Sequence, residues 1–566
     1  MARWTAALAA LLGGIVLAIL GTTPQPPRSD GSDPAIFSGT RPMAHVRVIA
    51  AEPHPTGSAQ NARVRAYLIA EMQKLGMEVS TTTGAVPKRS LDRFAHWSGT
   101  RPDALTLTNV IGILPGSDRS LPAVALMAHH DTVWESPGAP DDTAGIASVL
   151  ETVRAIKAEG PLTRDVIAIM TDGEELGLLG ARQFFGDDGK ANPISDRIGA
   201  IINLEARGGG GRTTLFQTSA RNGQAVALYS SAVDRPGGSS LATFVYDALP
   251  NDTDLTPALK RDYAAYNLSF IGRSGLYHSP KATPANLDQG ALQDMGDQTL
   301  ALTWALGNAD ALPQPSPNIT FFDMFGIILI TYGAVTGWVL FAVMAALHIY
   351  CLRSNSGGLP GALRSLGASA AVILGGGLLL YGLNVISGAA SSESDYYDRL
   401  AAIPMLTGQA LLICIAALAA TAPLWAGRSG SIVGVLIALV LQIYAPVTSY
   451  ITVWPFLLSG IAGALDARFS GRWVEGVKAV CGALSLGFVL QYGFQLMQGV
   501  GPDVPWVTAV LAALMVPMLG AMIPPVSRKP AFTLAAICLA GASAIALWVR
   551  LDPVADTVAA YESMKG

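Results

Sequence analysis

The sequence predicts an α/β domain, a mixed β-sheet flanked by helices, followed by a polytopic α-helical membrane domain. Two observations carry the first part. Short apolar runs such as Leu121–Ala128 (LPAVALMA) and Asp165–Met170 (DVIAIM) alternate with stretches of helical periodicity such as Gly145–Gly160, the pattern of strands joined through helices. Three of these runs also end in His or acid: His129 and Asp131 after the first, Glu174 and Glu175 after the second, Glu205 within GAIINLEARGGGG. In open α/β sheets, ligands bind in the crevice beyond the carboxyl ends of the strands. The third observation is a change of composition at Phe321, after which apolar spans long enough for a bilayer follow one another.

At 51% hydrophobic and 14% charged, the 566 residues are too apolar for one soluble globule. The net charge of −4 argues neither way about nucleic acid, but no basic stripe stands out, and no nucleic-acid partner is expected. The four cysteines (Cys351, Cys414, Cys481, Cys538) all lie in apolar segments of the second half, so no disulfide framework is expected.

Residues 1–22 hold an uncharged apolar run, Thr5–Gly21, which reads as a signal anchor, with a cleavable signal peptide as the alternative. Residues 23–40 are rich in Pro, Ser and Gly and read as a linker. Residues 41–312 have ordinary soluble composition and form one α/β domain. It opens with a helix, a loop carrying His54 and Gly57, a second helix and a strand.

The membrane domain, 320–550, is expected to hold about eight helices, near 322–350, 366–388, 402–425, 430–446, 449–465, 476–498, 504–525 and 530–549. Arg353, Arg364, Arg428, Arg468, Arg472, Lys478, Arg528 and Lys529 fall in alternate loops. The opposite loops carry only Arg399, beside Glu393, Asp395 and Asp398. Positive loops stay cytoplasmic, which puts the 41–312 domain and the tail, 551–566, on the extracytoplasmic side.

The candidate metal ligands are His129, Asp141, Glu175, Glu205 and His278. Zinc takes imidazole nitrogen and carboxylate oxygen and keeps one position open in a catalytic site. Five donors exceed one tetrahedral ion and suit two ions with a shared carboxylate. Asp131, two residues after His129 on the same strand face, is expected to accept a hydrogen bond from the second imidazole nitrogen and so to orient the ring. Glu174, adjacent to a ligand but aimed elsewhere, is the expected general base.

The segments HHD, GAPDDTAG, DGEELGLLGA, NLEARG and LYHSP together resemble the M28 family of zinc aminopeptidases. The anchor and polytopic second half resemble, in layout, the branch of endoplasmic-reticulum and vacuolar membrane metallopeptidases. The resemblance covers roughly residues 41–310. It implies two zinc ions, with Asp141 bridging them, His129 and Glu205 on one, Glu175 and His278 on the other, and Glu174 as base. It also implies a cis peptide at Asp141–Asp142 and a peptide substrate. Asp252 and Asp254 of ALPNDTDLTPA match the family's Ser-Asp-Thr-Asp segment, with Asn251 in place of the Ser, and are candidates for meeting a substrate amine.

Each signal has a plainer reading. An isolated His-x-Asp on a strand is ordinarily structural. Glu174–Glu175 alone fits a solvated helix start. Asp252 and Asp254 suit a turn or cap. His130 reads as packing, His45, His54 and His96 as surface or loop residues, and His348 as interfacial at a membrane edge. Gly208–Gly211 lacks the Lys-Ser/Thr of a phosphate loop and reads as a turn. Three functions compete: a membrane-anchored zinc exopeptidase acting outside the cytoplasm; a glutaminyl-cyclase-like or other amide-cleaving enzyme on the same scaffold, against which His129 counts; and a sensor or transport role for the membrane half. A bacterial inner membrane suits the Ala/Gly-rich composition, with an endomembrane lumen as the alternative.

Overall fold

The computed structural model describes residues 2–187, 189–249, 251–354, 358–389, 396–425, 431–501 and 503–551. Glu393, Asp395, Arg428 and residues 552–566 of the expected tail lie outside them. The chain divides into two compact units: one of Thr23–Phe322 with Ile328–Ile330, the other of Met1–Thr22, Asp323–Ile327 and Thr331–Val554.

The first helix, α1 (Ala2–Thr22), belongs to the second unit. The α/β unit then runs through α2 (Met43–Ile49), α3 (Ala59–Lys74), β1 (Glu78–Ala85), α4 (Lys88–Ser98), β2 (Thr106–Leu114), β3 (Ala123–His129), α5 (Gly145–Glu159), β4 (Val166–Thr171), α6 (Leu179–Phe185), β5 (Ile198–Ala206), β6 (Gly210–Thr218), α7 (Gly223–Ala232), α8 (Ser240–Ala248), α9 (Leu255–Ala258), β7 (Ala264–Gly272) and α10 (Gln289–Gly307). The seven strands form one sheet in the order β1-β2-β4-β3-β5-β7-β6. The central four are parallel, and β1, β2 and β6 make antiparallel edges. Connections leave β3 toward β4 on one side and return to β5 on the other. That change of direction opens a crevice at the carboxyl ends of the central strands.

Strand periodicity decides which residues reach that crevice. On β3, Val124, Leu126 and Ala128 face one core, while Ala123, Ala125 and Met127 face the other. The second face therefore ends in His129. On β5 the same face carries Ile201 and leads to Glu205. Met127 pairs with Asn203 in parallel register, so two residues further on His129 and Glu205 share a face. On β4, Ile167 and Ile169 continue to Thr171. The strands are apolar along most of their length because both faces are covered, and turn polar only near their carboxyl ends.

The expected linker is an ordered part of this unit. Phe37 and Ser38 are fully buried. Phe37 packs so closely on α10 that a Cβ at Gly296 would stand 2.0 Å from its ring. The Gln293 amide oxygen accepts from the backbone N–H groups of Arg28 and Gly39, both at 2.7 Å, and Arg41 pairs with Glu151 of α5 at 2.8 Å. Pro, Ser and Gly here serve a tight strap rather than a flexible chain. His54, expected at the surface, is also buried. Its backbone N–H donates to the Thr132 hydroxyl at 3.0 Å and its Nδ1 meets the Glu52 carbonyl at 3.0 Å.

From residue 320 on, the chain departs from the expected spans in three places. Residues 320–332 are not helical: β8 (Thr320–Met324) and β9 (Ile328–Tyr332) form a hairpin. Its turn holds Phe325 and Gly326 at φ 61° and 68°, the left-handed pair a two-residue hairpin turn requires. The first helix after it is α11 (Ala334–Ser354), followed by α12 (Gly358–Ala371), α13 (Gly377–Ile386), α14 (Tyr396–Thr421) and α15 (Ile432–Tyr444). Then come α16 (Tyr450–Arg468), α17 (Arg472–Val500), α18 (Val507–Ala513), α19 (Val516–Met522) and α20 (Arg528–Leu551). At 13 residues α15 is short for a crossing. The span near 504–525 is broken into α18 and α19, with Pro517 at the start of α19, where a proline is tolerated. Seven of the described helices, α1 among them, have the length and apolarity to cross a bilayer. Their outward faces carry exposed Val335, Leu378 and Ile537, which suits lipid rather than water. His348 is buried, with Nε2 on the Phe456 carbonyl at 2.8 Å and Nδ1 accepting from the Ser431 N–H at 3.1 Å, so it ties α11 to α15 and α16.

The strap gives the first prediction. Phe37→Ala removes a fully buried ring, and such truncations cost about 3–5 kcal/mol. The full-length protein should lose thermal stability of its α/β unit by a matching amount. An unchanged unfolding temperature would mean the strap is dispensable.

Candidate metal centre

The loop between β3 and α5 is shaped by its motif. Gly138 adopts φ 65°, and a Cβ there would stand 2.6 Å from the Asp141 carbonyl. The Asp141–Asp142 peptide is cis. The Asp142 carboxylate accepts from the backbone N–H of His129 at 3.3 Å and of Gly145 at 3.0 Å. A Cβ on Gly145 would meet that carboxylate at 2.4 Å, so any side chain here displaces the Asp142 carboxylate. Asp142 thus fastens the end of β3 to the start of α5 and leaves Asp141 to face the crevice.

Asp141 stands between two imidazoles. Its Oδ1 lies 3.0 Å from His129 Nε2, and its Oδ2 lies 3.1 Å from His278 Nε2. His278 Nε2 is also 3.0 Å from Glu175 Oε1. The donor atoms of His129, Asp141 and Glu205 lie within 4.8 Å of one another, as do those of Asp141, Glu175 and His278, and those of His129, Glu174 and Glu175. The structure therefore brings together all five expected ligands, with Asp141 common to two groups and Glu174 beside them. Tyr277 stacks on the His278 ring at 3.7 Å.

Asp131 is placed differently from the expectation. His129 Nδ1 donates to the Asp131 backbone carbonyl at 2.9 Å, while the carboxylate is 3.7 Å away, too far for a hydrogen bond. The carboxylate instead accepts from the backbone N–H of Glu174 at 3.1 Å, from that of Glu175 at 3.3 Å, and from the Thr56 hydroxyl at 3.2 Å. Its work is to hold the turn that carries both glutamates. Sequence reasoning missed Thr56, whose hydroxyl lies between Asp131 and Asp172 at 3.2 and 3.0 Å. The only signal was its place in the His54–Gly57 loop. His130 turns away and packs, meeting Asn61 at 3.2 Å and the Thr108 carbonyl at 3.0 Å.

The Asp252/Asp254 pair splits. Asp252 is exposed and accepts from the Thr256 hydroxyl at 3.2 Å, a turn contact. Asp254 is buried beside the acids. One oxygen accepts from the Thr171 hydroxyl, and the other has no hydrogen-bond partner among the described residues. Glu205 accepts from the Asn203 amide at 3.3 Å.

The electrostatics test whether these residues suit cations. Burial pushes Glu205 up to about 8, with repulsion from Asp141 and Asp254 added and His129 opposing. Burial likewise pushes Asp254 up to about 7, with Asp131 and Glu175 contributing. Glu174 rises well above the usual carboxylate range through burial and then Glu175, Glu205 and Asp254. For Asp141, burial is outweighed by hydrogen bonds with His129 and His278, which hold it down at about 2. For His278, burial is outweighed by Glu175 and Asp141, which raise it to about 9. The protein alone gathers more buried negative charge than two imidazoles neutralise, a costly arrangement unless cations are bound. The mixed nitrogen and carboxylate set is that of zinc, and the residues fit the group.

Residues 109–303, which include all five donors, match the model of peptidase family M28. The matched segment makes up about a third of this chain. Among curated proteins it is 29% identical to rat endoplasmic reticulum metallopeptidase 1 over 55% of this chain and 36% of that protein. It is 31% identical to the vacuolar membrane protease of Yarrowia lipolytica over 51% of this chain and 30% of that protein. The match thus spans about a third of the length of these relatives. A zinc aminopeptidase structure from Bacillus subtilis aligns with 50% of this chain and 97% of its own at 16% identity and TM-score 0.38.

Asp131→Ala should disorder the Glu174–Glu175 turn without removing a donor. Losses of supporting groups of this kind cost about 10–100-fold in metal affinity or activity. Zinc titration of the variant should show that weakening. Wild-type affinity would mean the turn is held by other contacts.

Proposed function

We propose that this chain is a membrane-anchored, zinc-dependent exopeptidase, an aminopeptidase, that hydrolyses peptides outside the cytoplasm. The observation that carries this reading is Asp141, each of whose oxygens faces a different imidazole within a five-donor set. His129, Asp141 and Glu205 would hold one zinc ion, and Asp141, Glu175 and His278 a second. When bound, the ions supply Lewis acidity for the scissile carbonyl and for the attacking water. The peptidase names of the relatives support hydrolysis at a membrane.

The chain's own residues supply the rest. Glu174 lies beside the donors on the turn held by Asp131. It takes a proton from water as the water oxygen bonds to the carbonyl carbon. It returns that proton to the departing amine as the carbon–nitrogen bond breaks. The unpartnered oxygen of Asp254 suits the ammonium of a free amino terminus. Glu174→Gln should lower turnover by about 10²–10⁴ with metal content unchanged. His278→Ala should lose metal from a wild-type content approaching two ions per chain. Turnover retained in Glu174→Gln would remove the base from this glutamate, and one ion in fully active protein would favour the cyclase-like alternative.

The orientation follows from charge. Arg353, Arg364, Arg468, Arg472, Arg528 and Lys529 mark the cytoplasmic ends. Lys478 is not a loop charge: it is fully buried and pairs with Asp466 at 2.9 Å and Glu475 at 3.2 Å. Arg3 pairs with the same Asp466 at 3.1 Å. This contact supports the start of α1 lying on the same side as the loop between α16 and α17. The α/β unit would then face a periplasm, or a lumen in an endomembrane. Reporters inserted at Ser470 and at Gly501 should report opposite compartments, with Ser470 cytoplasmic. The same compartment for both would overturn this topology.

A further inference from the structure

The α/β unit holds a cavity apart from the metal donors. Its volume is about 810 Å³, within the range of small-molecule sites. The strap, from Gln25 to Phe37, forms one wall and α10 another. The carboxyl ends of α5 and α7 complete it, through Glu159 and Ala232. α5 begins at Gly145, whose N–H donates to Asp142 beside the metal donors, and runs 15 residues to Glu159. At about 1.5 Å of rise per residue, the Glu159 end lies about 20 Å from that clamp.

The lining joins an apolar surface to acid. Leu300, Ala301 and Trp304 stand at the spacing of one face of α10, and Ile36 adds to them from the strap. Five carboxylates line the cavity against two guanidinium groups, Arg28 and Arg235. Two of the acids are engaged already. Asp297 pairs with Arg28 and accepts from the Gln25 amide. Asp294 is buried, with one oxygen accepting from the Thr213 N–H at 2.8 Å and the Gln298 amide at 3.2 Å, and with Arg212 at 3.6 Å. Its other oxygen has no hydrogen-bond partner among the described residues. The remaining three, Asp33, Glu159 and Asp234, are exposed and make no ion pair among the described residues. The helix ends of α5 and α7 add partial negative charge. The cavity thus favours a positive ligand, an indole face adds attraction for a cation, and the α10 stripe takes up an apolar body.

We propose that this cavity binds a small organic cation, an amine that carries an aromatic or branched aliphatic body. The apolar part packs on Ile36, Leu300 and Trp304. The ammonium meets Glu159 and Asp234, the acids at and just beyond the ends of α5 and α7. The site is separate from the metal centre and does not depend on the peptidase reading above. Because the strap and α10 both line it, a bound amine joins the two and stabilises the folded unit by mass action.

The test titrates the full-length protein with phenethylamine, its neutral analogue 2-phenylethanol and its anionic analogue 3-phenylpropanoate. Tryptophan emission and the unfolding temperature report binding. The amine should bind saturably, about tenfold more tightly than the alcohol, and the anion should not bind. The emission change should vanish in Trp304→Phe while the rise in unfolding temperature remains. The double variant Glu159→Gln/Asp234→Asn should weaken the amine by up to about fivefold per charge removed. Ala301→Trp, which fills the cavity, should abolish binding, and His278→Ala should bind as the wild type does. Equal binding of amine and alcohol, or stronger binding of the anion, overturns the proposal. Wild-type binding in both cavity variants overturns it too, as does loss in His278→Ala, which would put the amine at the metal centre. No binding of phenethylamine by the folded wild type also sinks it.

Discussion

The carboxylate of Asp141 is shared between His129 and His278 at 3.0 and 3.1 Å, and much of the α/β unit serves to bring those three groups together. His129 ends β3 and His278 follows β7, with β5 between them in the sheet. A loop must cross that gap and present one acid at the middle. Gly138 gives the loop its left-handed corner, and Asp142 binds it to the backbone of His129 and Gly145. A side chain at Gly145 would break the clamp and move Asp141 with it.

Around that carboxylate the chain collects more acid than it neutralises, and the excess is managed in two ways. Among the acids that supply donor atoms, Asp141 is held down by hydrogen bonds with two imidazoles against its burial, whereas burial and neighbouring acids push Glu205 up against the pull of His129. Acids behind them are satisfied by backbone. Asp131 takes the two amides of the Glu174–Glu175 turn, and Asp172 takes the Thr108 amide at 2.8 Å. Charge-assisted bonds of this kind are among the stronger ones. They fasten the turn through its backbone and leave the Glu174 side chain to lie beside the donor atoms.

The strand ends and the donor set were legible because both rest on short-range rules. An apolar run of alternating faces ends in one inward residue, and the types found there have few other uses together. Partners across the fold were not legible. The Thr56 contact joins residues 56, 131 and 172 through three separate elements, and no local pattern announces it. The packing of the linker at 23–40 was not legible because turn-forming composition describes a loose segment and a tightly folded one equally. Only the burial of Phe37 against Gly296 distinguishes them. In the membrane half, apolarity alone could not separate a hairpin from a helix at 320–332. There the deciding feature was a pair of left-handed residues, Phe325 and Gly326. The hydrogen bonds of His348 to α16 and to the start of α15 join segments far apart in the chain, and no local pattern announces them either.

Three adjacent pairs, His129–His130, Asp141–Asp142 and Glu174–Glu175, explain why identical neighbours in a sequence need not share a role. On an extended strand successive side chains point to opposite faces. His129 therefore enters the site while His130 meets Asn61 and Thr108 behind it. At Asp141–Asp142 the backbone turns between the two, so one carboxylate faces the imidazoles and the other closes on amides of the same loop. The glutamates sit on a tight turn after β4 whose two amides converge on Asp131. A turn, unlike a strand, can send consecutive side chains to the same side, and both reach within 4.8 Å of His129. The backbone geometry beneath each pair, rather than the residues themselves, decides whether the second member supports the site or joins it.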